Sequence, residues 1–438
     1  MKKVLIITYY WPPAGGPGVQ RFLKIAKYVN EFGWEPIILT VRNGSYQAID
    51  ESLVDEIPKG IHVVKTSTLE PFTIYNFLRG KKGKQLEGHS GAVQSRKTLF
   101  STLVNLIRSN FFIPDARIGW NWFARKAAFK LLNHNRIDAI ITTGPPHSTH
   151  LIGLAIRSKR NIPWVVDLRD PWSDIFYNRY FQRSEYAVKK DRKAEESVFR
   201  TSDALVVVSR GMEDDLKNRH RRIQTIFNGF DESDFEDLSL SSTSDVFRLT
   251  YVGNYKLLQN RPELWKLLSR IIQTNDEFRK YFRLEFVGNV NMEAIKSFQT
   301  FGLTDHVVLH GYRDHKEALE LMCNSNMLLF TTPNIPEVNK YVTGKIFEYL
   351  ASRTPILAIT KKGGAIEELL NAHGHMLLDF SEISKSEDII LQSFNRWLVN
   401  REVVKVKENA GLSNLSRKSQ TKNYVALLDE LIRDTKSI

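Results

Sequence analysis

Lys2 to Val41 reads KKVLIITYYWPPAGGPGVQRFLKIAKYVNEFGWEPIILTV, and this stretch decides the fold. KKVLIITYY is a short β-branched apolar run, the mark of a strand buried on both faces. Val19, Phe22, Leu23, Ala26 and Val29 then recur at helical spacing, and the pattern stops at Gly33. WEPIILTV is a second buried strand. Strand, glycine-rich loop, helix and strand in that order make a βαβ unit, which builds a parallel sheet with helices on its faces.

The loop between the first strand and the helix holds Gly15, Gly16 and Gly18. Small residues there let backbone N–H groups approach an anion at a helix start; a plain tight turn explains them equally well. A dinucleotide fingerprint needs a third glycine and a carboxylate after the second strand. Gly16-Pro17-Gly18 is followed by Val19-Gln20-Arg21, and the second strand ends in IILTVRN, so neither is present. Nor does any Walker sequence occur. Hydride transfer and ATP chemistry lose their support.

The alternation continues outward. IDAIITTG, IPWVVDLRD, DALVVVS and IQTIFNG read as strands separated by helices. DESDFEDLSLSSTSDVF is acidic, serine-rich and poorly patterned, as expected of a linker. RLTYVGN, FRLEFVGNV, HVVLHGYR, MLLFTT, PILAIT and HMLLDF then start a second series, and a last helix is expected at about Gln420 to Arg433. The 438 residues thus divide into a domain at 1–230, a linker at 231–246, a domain at 247–415 and a C-terminal helical segment at 416–438 that could return to the first domain. The fold class is α/β with two doubly wound Rossmann-like parallel-sheet domains. Facing domains of this kind make a cleft at the carboxyl ends of their strands.

Composition narrows the setting. The single cysteine, Cys323, allows no internal disulfide and no cysteine-rich metal site, and fits a reducing compartment. MKKVLIITYYWPP lacks a secretory cleavage pattern, and no apolar run reaches the ~18 residues of a membrane span. The net charge is +13. Much of it lies between Pro71 and Arg136, where twelve basic residues, among them Arg79, Lys81, Lys82, Lys84, Arg96 and Lys97, meet only Glu87 and Asp115. Phe100, Leu103, Val104, Ile107 and Phe111 form a helical stripe inside it. Such a stripe packs on its own domain or lies in a membrane interface with its cations on anionic lipid. Nucleic acid is not expected as a partner.

Three motifs sit where chemistry belongs. TTGPPHSTH puts His147 at a strand end, beside a helix start. VVDLRDPW brings Asp167, Arg169, Asp170 and Trp172 to the same edge, although an arginine between carboxylates also serves as a structural ion pair. GKIFEYLASRTPILAI starts a helix near Thr343-Gly344, with Lys345 in its first turn and Glu348 beyond, a carboxylate able to accept bonds from two neighbouring hydroxyls. Ile346, Phe347, Tyr349 and Leu350 around Glu348 indicate a buried setting, where a carboxylate needs partners.

These motifs, in order over nearly the whole chain, resemble the GT-B glycosyltransferases, and among them the retaining enzymes of glycosyltransferase family 4 that build bacterial surface polysaccharides on lipid carriers. The resemblance implies that Gly15 and Gly16 lie near the donor diphosphate, that His147 is the active-site histidine beside the donor sugar, and that Glu348 binds the nucleotide ribose. It implies a phosphate-side helix at Thr343, Gly344 and Lys345. Asp170 joins His147 as a candidate catalytic residue, and Gly18, Arg169 and Trp172 are candidate acceptor contacts. The chain also departs from the family. Lys340 falls where the first glutamate of the family pair belongs, with Glu337 out of register. Asn254 and Asn260 replace the two basic phosphate ligands, which leaves Lys256, Arg261 and Lys345 to compensate.

The expected reaction moves a sugar from a nucleotide-sugar to a lipid-linked or membrane-proximal glycan, with retention and without metal or cofactor. Glu213 to Asp215 form no Asp-x-Asp site. The expected place is the cytoplasmic face of the inner membrane. A nucleotide-sugar epimerase of the same fold and a non-catalytic membrane-recruiting subunit are the alternatives.

Overall fold

In the computed structural model, which describes residues 1–46, 48–70, 106, 108–174, 183–335, 338, 342–407 and 409–436, the opening run forms β1 (Lys2–Ile7), buried from Val4 onward. It is an interior strand, next to central β4, of a seven-stranded sheet of order β3-β2-β1-β4-β5-β6-β7. The other strands are β2 (Trp34–Val41), β3 (His62–Thr66), β4 (Ala139–Gly144), β5 (Trp164–Leu168), β6 (Ala204–Val207) and β7 (Ile223–Thr225). Every ladder is parallel. β1 and β4 pair from Val4 opposite Ala139 to Ile7 opposite Thr142. The strand order reverses at this pair, so the loops after β1 and β4 diverge and leave a crevice between them.

The helix Pro17–Tyr28 follows β1, with a proline in its first turn and Gly16 as its N-cap at φ 95°. A positive φ is open to glycine at little cost, and this allows the sharp entry from the loop. Val19, Phe22, Leu23 and Ala26 are fully buried. The turn after the helix ends at Gly33, in the left-handed region. β3 was not legible in the sequence. It is an edge strand with only half-buried and exposed positions, so it lacks the continuous apolar run of the interior strands.

The second sheet has six strands in the order β10-β9-β8-β11-β12-β13, again all parallel. They are β8 (Phe247–Val252), β9 (Phe282–Val287), β10 (Val307–Gly311), β11 (Met327–Thr331), β12 (Ile356–Ile359) and β13 (Leu377–Leu378). Its core gathers Leu249, Trp265, Leu268, Phe286, Phe298 and Phe394 on one face.

The chain forms two compact units, Met1–Phe227 with Arg417–Ile438, and Asn228–Ser416. The C-terminal helix spans Arg417–Lys436. Its Tyr424, Val425, Leu428 and Leu431 share a buried cluster with Val19, Phe22 and Leu23 of the first unit. Residues 231–246, expected as a linker, are instead built into the second unit. Asn324 accepts from the Ser241 N–H at 2.8 Å and donates to the Ser239 carbonyl at 2.8 Å. The Ser244 carbonyl accepts from the Trp397 indole at 3.2 Å. Ser241 Oγ donates to the Thr243 carbonyl at 2.7 Å and Ser244 Oγ to the Val246 carbonyl, so the serines that read as a solvated linker here bond to nearby backbone.

The six named cations from Arg79 to Lys97, the aromatic stripe up to Ile107, and Glu337 and Lys340 lie outside the described residues. Among the described residues no helix is long and apolar enough to cross a membrane.

Candidate functional site

In the first unit the candidate residues gather at the carboxyl ends of β1, β4 and β5. His147 opens a short 3-10 turn just after β4. The turn is pinned by Asp115, whose carboxylate accepts from the Ser148 N–H and hydroxyl, both at 2.8 Å. The His147 ring is buried, and among the described residues neither of its nitrogens makes a hydrogen bond of normal geometry. Burial, with Arg169 adding a like charge, pushes its pKa down to about 3, and the nearby Pro171 carbonyl opposes this weakly. At neutral pH the ring is therefore uncharged, with one donor and one acceptor nitrogen for a ligand.

The ring lies flat against Trp172, 5.0 Å between centres. The Trp172 indole N–H donates to Asp191 at 2.8 Å, and Arg183 donates to the other oxygen of Asp191 at 2.8 Å. Trp172, expected as an acceptor contact, thus has its one polar group committed inward and acts as the platform beneath His147.

A second histidine, His150, completes the cluster, and sequence reasoning missed it. Thr142 accepts from the Trp164 indole at 2.9 Å and stands 2.9 Å from His150 Nδ1. His150 is also held neutral by burial and by the neighbouring His147 and Arg169. Gly144 makes room for both imidazoles, since a Cβ there would lie 2.5 Å from His150 Nε2 and 3.0 Å from His147 Nδ1. The available signal was the pair of histidines three apart at a strand end.

Arg169 is half-buried and donates to the Pro145 carbonyl. A Cβ on Gly18 would come within 2.5 Å of its Nη1, so Gly18 is what allows the guanidinium to lie across the helix start. Asp170 is exposed at the same edge. Gly15 donates its N–H to the Ala48 carbonyl at 2.9 Å, which withdraws that group from any anion. Gly16 remains exposed with open space around its α-carbon.

Beneath this edge runs a buried ion pair. Arg21 Nη2 lies 2.9 Å from Asp167 Oδ2, both side chains almost fully enclosed. Asp167 also accepts from Thr143 at 2.9 Å and from Tyr424 of the C-terminal helix. Arg21 further donates to the carbonyls of Ile226 and Phe227 at 2.9 and 2.8 Å. Burial alone pulls the Arg21 pKa down, but Asp167 and Tyr424 outweigh it and hold the guanidinium charged.

In the second unit the helix Lys345–Ala351 begins after Gly344. The Lys345 ammonium donates to the Tyr251 hydroxyl and sits 4.2 Å from the centre of that ring. Gln259 donates to the same hydroxyl at 3.1 Å, and the hydroxyl donates to the Asn254 carbonyl at 3.2 Å. The cation is thereby fixed beside the end of β8, where a Cβ on Gly253 would stand 3.2 Å from Nζ. Thr343 Oγ1 is buried without a partner among the described residues. Glu348 is half-buried.

The other donor-side candidates separate. Lys256 and Asn254 are exposed. Arg261 is buried and directs its guanidinium to the carbonyls of Leu258, Asn260 and Thr332, so much of its donor capacity ties the loop together. Asn260 bonds Ser297 at 2.9 Å and the Trp265 indole at 2.7 Å; its side chain is structural. Among the described residues no cluster of three or more His, Cys, Asp or Glu side chains could hold a metal ion.

Comparison with known proteins agrees with this architecture. The family model described as Glycosyltransferase Family 4 matches residues 86–234. No curated protein matches the sequence. Sucrose-phosphate synthase from Thermosynechococcus elongatus is 14% identical and aligns over 99% of this chain and 100% of its own, with a TM-score of 0.59. An E. coli trehalose-6-phosphate structure bound with UDP-2-fluoro glucose is 12% identical over 100% and 99% of the two chains, with a TM-score of 0.54. S. aureus TarM in complex with Fondaparinux, alpha-GlcNAc-glycerol and UDP is 12% identical over 99% of each, with a TM-score of 0.53. The chain has the two parallel-sheet units of the GT-B glycosyltransferase fold, and its residues 86–234 match Glycosyltransferase Family 4.

Proposed function

We propose that this protein is a glycosyltransferase that moves a sugar from a nucleotide-sugar to a lipid-linked or membrane-proximal glycan, with retention and without a metal or cofactor. Its place is the synthesis of a bacterial surface polysaccharide at the cytoplasmic face of the inner membrane. The observation that carries the reading is His147: buried and neutral, at the end of a central strand, its ring nitrogens making no side-chain hydrogen bond among the described residues.

The chemistry asks little of side chains. The bond between the anomeric carbon and the diphosphate oxygen breaks, and the acceptor oxygen bonds to that carbon on the same face. The acceptor proton goes to the departing phosphate. The leaving diphosphate gathers negative charge, which fixed cations and oriented donors stabilise without reorganising. In the second unit Lys345, with Thr343 and Gly344 beside it, takes the diphosphate; Lys256 and Arg261 support it, and Glu348 takes the ribose hydroxyls. In the first unit His147 bonds a hydroxyl of the sugar. Asp170 acts with His147 at the reacting centre, Gly16 lies on the donor side, and Arg169 and Gly18 form the acceptor side. The UDP ligands in the TarM and E. coli structures support a uridine nucleotide as the first donor to try.

The test is incubation with a panel of nucleotide-sugars and bacterial membranes in the presence of a chelator. The expected result is nucleoside diphosphate release that requires membranes and disappears in His147→Ala, with a product that keeps the donor's anomeric configuration. Release from no donor refutes the reading. An isomerised donor formed without membranes assigns an epimerase instead.

A further inference from the structure

The first unit carries an open groove of about 680 Å³ beside the helices Asn121–His134 and His150–Arg157. Trp122 and Phe129 supply its apolar wall, Arg125, Lys126 and Lys159 its charge, and among the described residues no carboxylate lines it. Trp122 is 68% exposed, a large ring to leave in water. The Lys159 ammonium hangs 5.4 Å from the centre of the Phe129 ring, with its stem along the apolar wall and its head outward.

Two buried polar atoms on this wall, one on half-buried Arg125 and one on Asn121, lack partners among the described residues. Arg125 donates from Nη2 to the Leu151 carbonyl at 3.0 Å, but its Nε has no acceptor. Burial lowers its pKa, and no carboxylate offsets this. Asn121 is 5% exposed. Its Nδ2 donates to the Ser148 carbonyl at 2.8 Å, which fixes the amide orientation and leaves Oδ1 as an unpaired acceptor. Buried polar groups of this kind call for a ligand that satisfies them. The ligand must bring an anion for the cations, a hydroxyl for the amide oxygen, and an alkyl part for the rings.

The chain from 71 to 105 is a poor occupant by its charge, because it carries Arg79, Lys81, Lys82, Lys84, Arg96 and Lys97 against Glu87 alone. Charge complementarity favours an anionic amphiphile from the bilayer. We propose that this groove seats the headgroup of an anionic glycerophospholipid, with its phosphate on Arg125, Lys126 and Lys159 and its adjoining chain against Trp122 and Phe129. The proposal rests on the membrane part of the function proposed above and identifies where the chain meets the lipid. Through Asn121, the seated lipid would touch the same turn that carries His147.

The test uses the full chain with phosphatidylcholine vesicles, with and without phosphatidylglycerol, by co-sedimentation. Fluorescence quenching by acyl-brominated lipid reads the tryptophan contact. Binding is expected only with phosphatidylglycerol present. The double variant Lys126→Gln, Lys159→Gln should weaken it on the order of tenfold or more, with thermal unfolding unchanged. Trp122→Phe should remove most of the quenching. Binding that is indifferent to these variants, quenching that survives Trp122→Phe, or no binding to phosphatidylglycerol vesicles overturns the groove. Donor turnover with bacterial membranes and the nucleotide-sugar panel is measured on the same protein preparations. Groove-dependent vesicle binding without turnover supports the groove while refuting the transferase reading.

Discussion

The His147 imidazole and the Trp172 indole lie within 10° of parallel, with ring centres 5.0 Å apart. The indole is anchored from below by Asp191 and, through it, by Arg183. A stacked pair of this kind contributes about 0.5–1.5 kcal/mol beyond its buried area. Here the return is orientation: the rigid platform holds a neutral ring in place at the end of β4. Trp172→Leu should therefore lower kcat roughly tenfold, and Trp172→Phe should retain more activity. Steady-state kinetics with the identified donor checks both, and an unchanged kcat in Trp172→Leu would remove the platform role.

Acid should destabilise the first unit through the same histidine. An unfolded histidine takes up its proton near pH 6.5, whereas burial and Arg169 hold folded His147 down to about 3. The unfolded state therefore binds more protons between these values, and stability falls as pH drops from about 6.5 towards 3. His150 acts in the same direction. The urea midpoint should decline across this window in the wild type and decline less in His147→Gln. Equal slopes would contradict the assignment.

The Arg21–Asp167 pair joins the helix Pro17–Tyr28, the end of β5 and the C-terminal helix. Removing one charge from a buried pair strands the other, at a cost of about 3–5 kcal/mol. Asp167→Asn should lose stability of that order. Tyr424→Phe removes one hydrogen bond to the pair and should lose only about 1 kcal/mol. Urea unfolding followed by circular dichroism distinguishes the two.

Lys345 is the cation held at the end of β8 by Tyr251. A hydrogen bond to a charged group contributes about 1.5–3 kcal/mol, so Lys345→Met should weaken nucleoside diphosphate binding roughly tenfold or more. Tyr251→Phe keeps the charge but releases its anchor, and should weaken binding less. Calorimetric titration with the nucleoside diphosphate measures each. Wild-type affinity in Lys345→Met would remove this residue from the donor site.

Much of the architecture was local information. β1, β2 and the helix between them follow from apolar spacing and from Gly33, because dihedral preference and periodicity act over a few residues. The same holds for the strand after 231–246 and for the position of His147 after β4. The edge strand His62–Thr66 escaped because one exposed flank leaves no apolar run to read. Residues 231–246 looked like a linker because serine and aspartate signal loops whether or not those loops are packed.

The sequence by itself determined the order of strands and helices apart from the edge strand His62–Thr66, the strand ends at which the candidate residues emerge, and the absence of a dinucleotide fingerprint. Only the tertiary structure decided what each of those residues does. It turned Trp172 inward as a platform, tied Gly15 to Ala48, turned Asn260 to Ser297 and Trp265, and brought Tyr424 from the far end of the chain to Asp167. It also brought His150 to His147 and left Asn121 and Arg125 each with an atom unpaired among the described residues, beside an exposed tryptophan. The physical reason is range. Local patterns set φ, ψ and which face is apolar. The partner of a polar group is chosen by whichever distant backbone or side chain packing brings within hydrogen-bond reach.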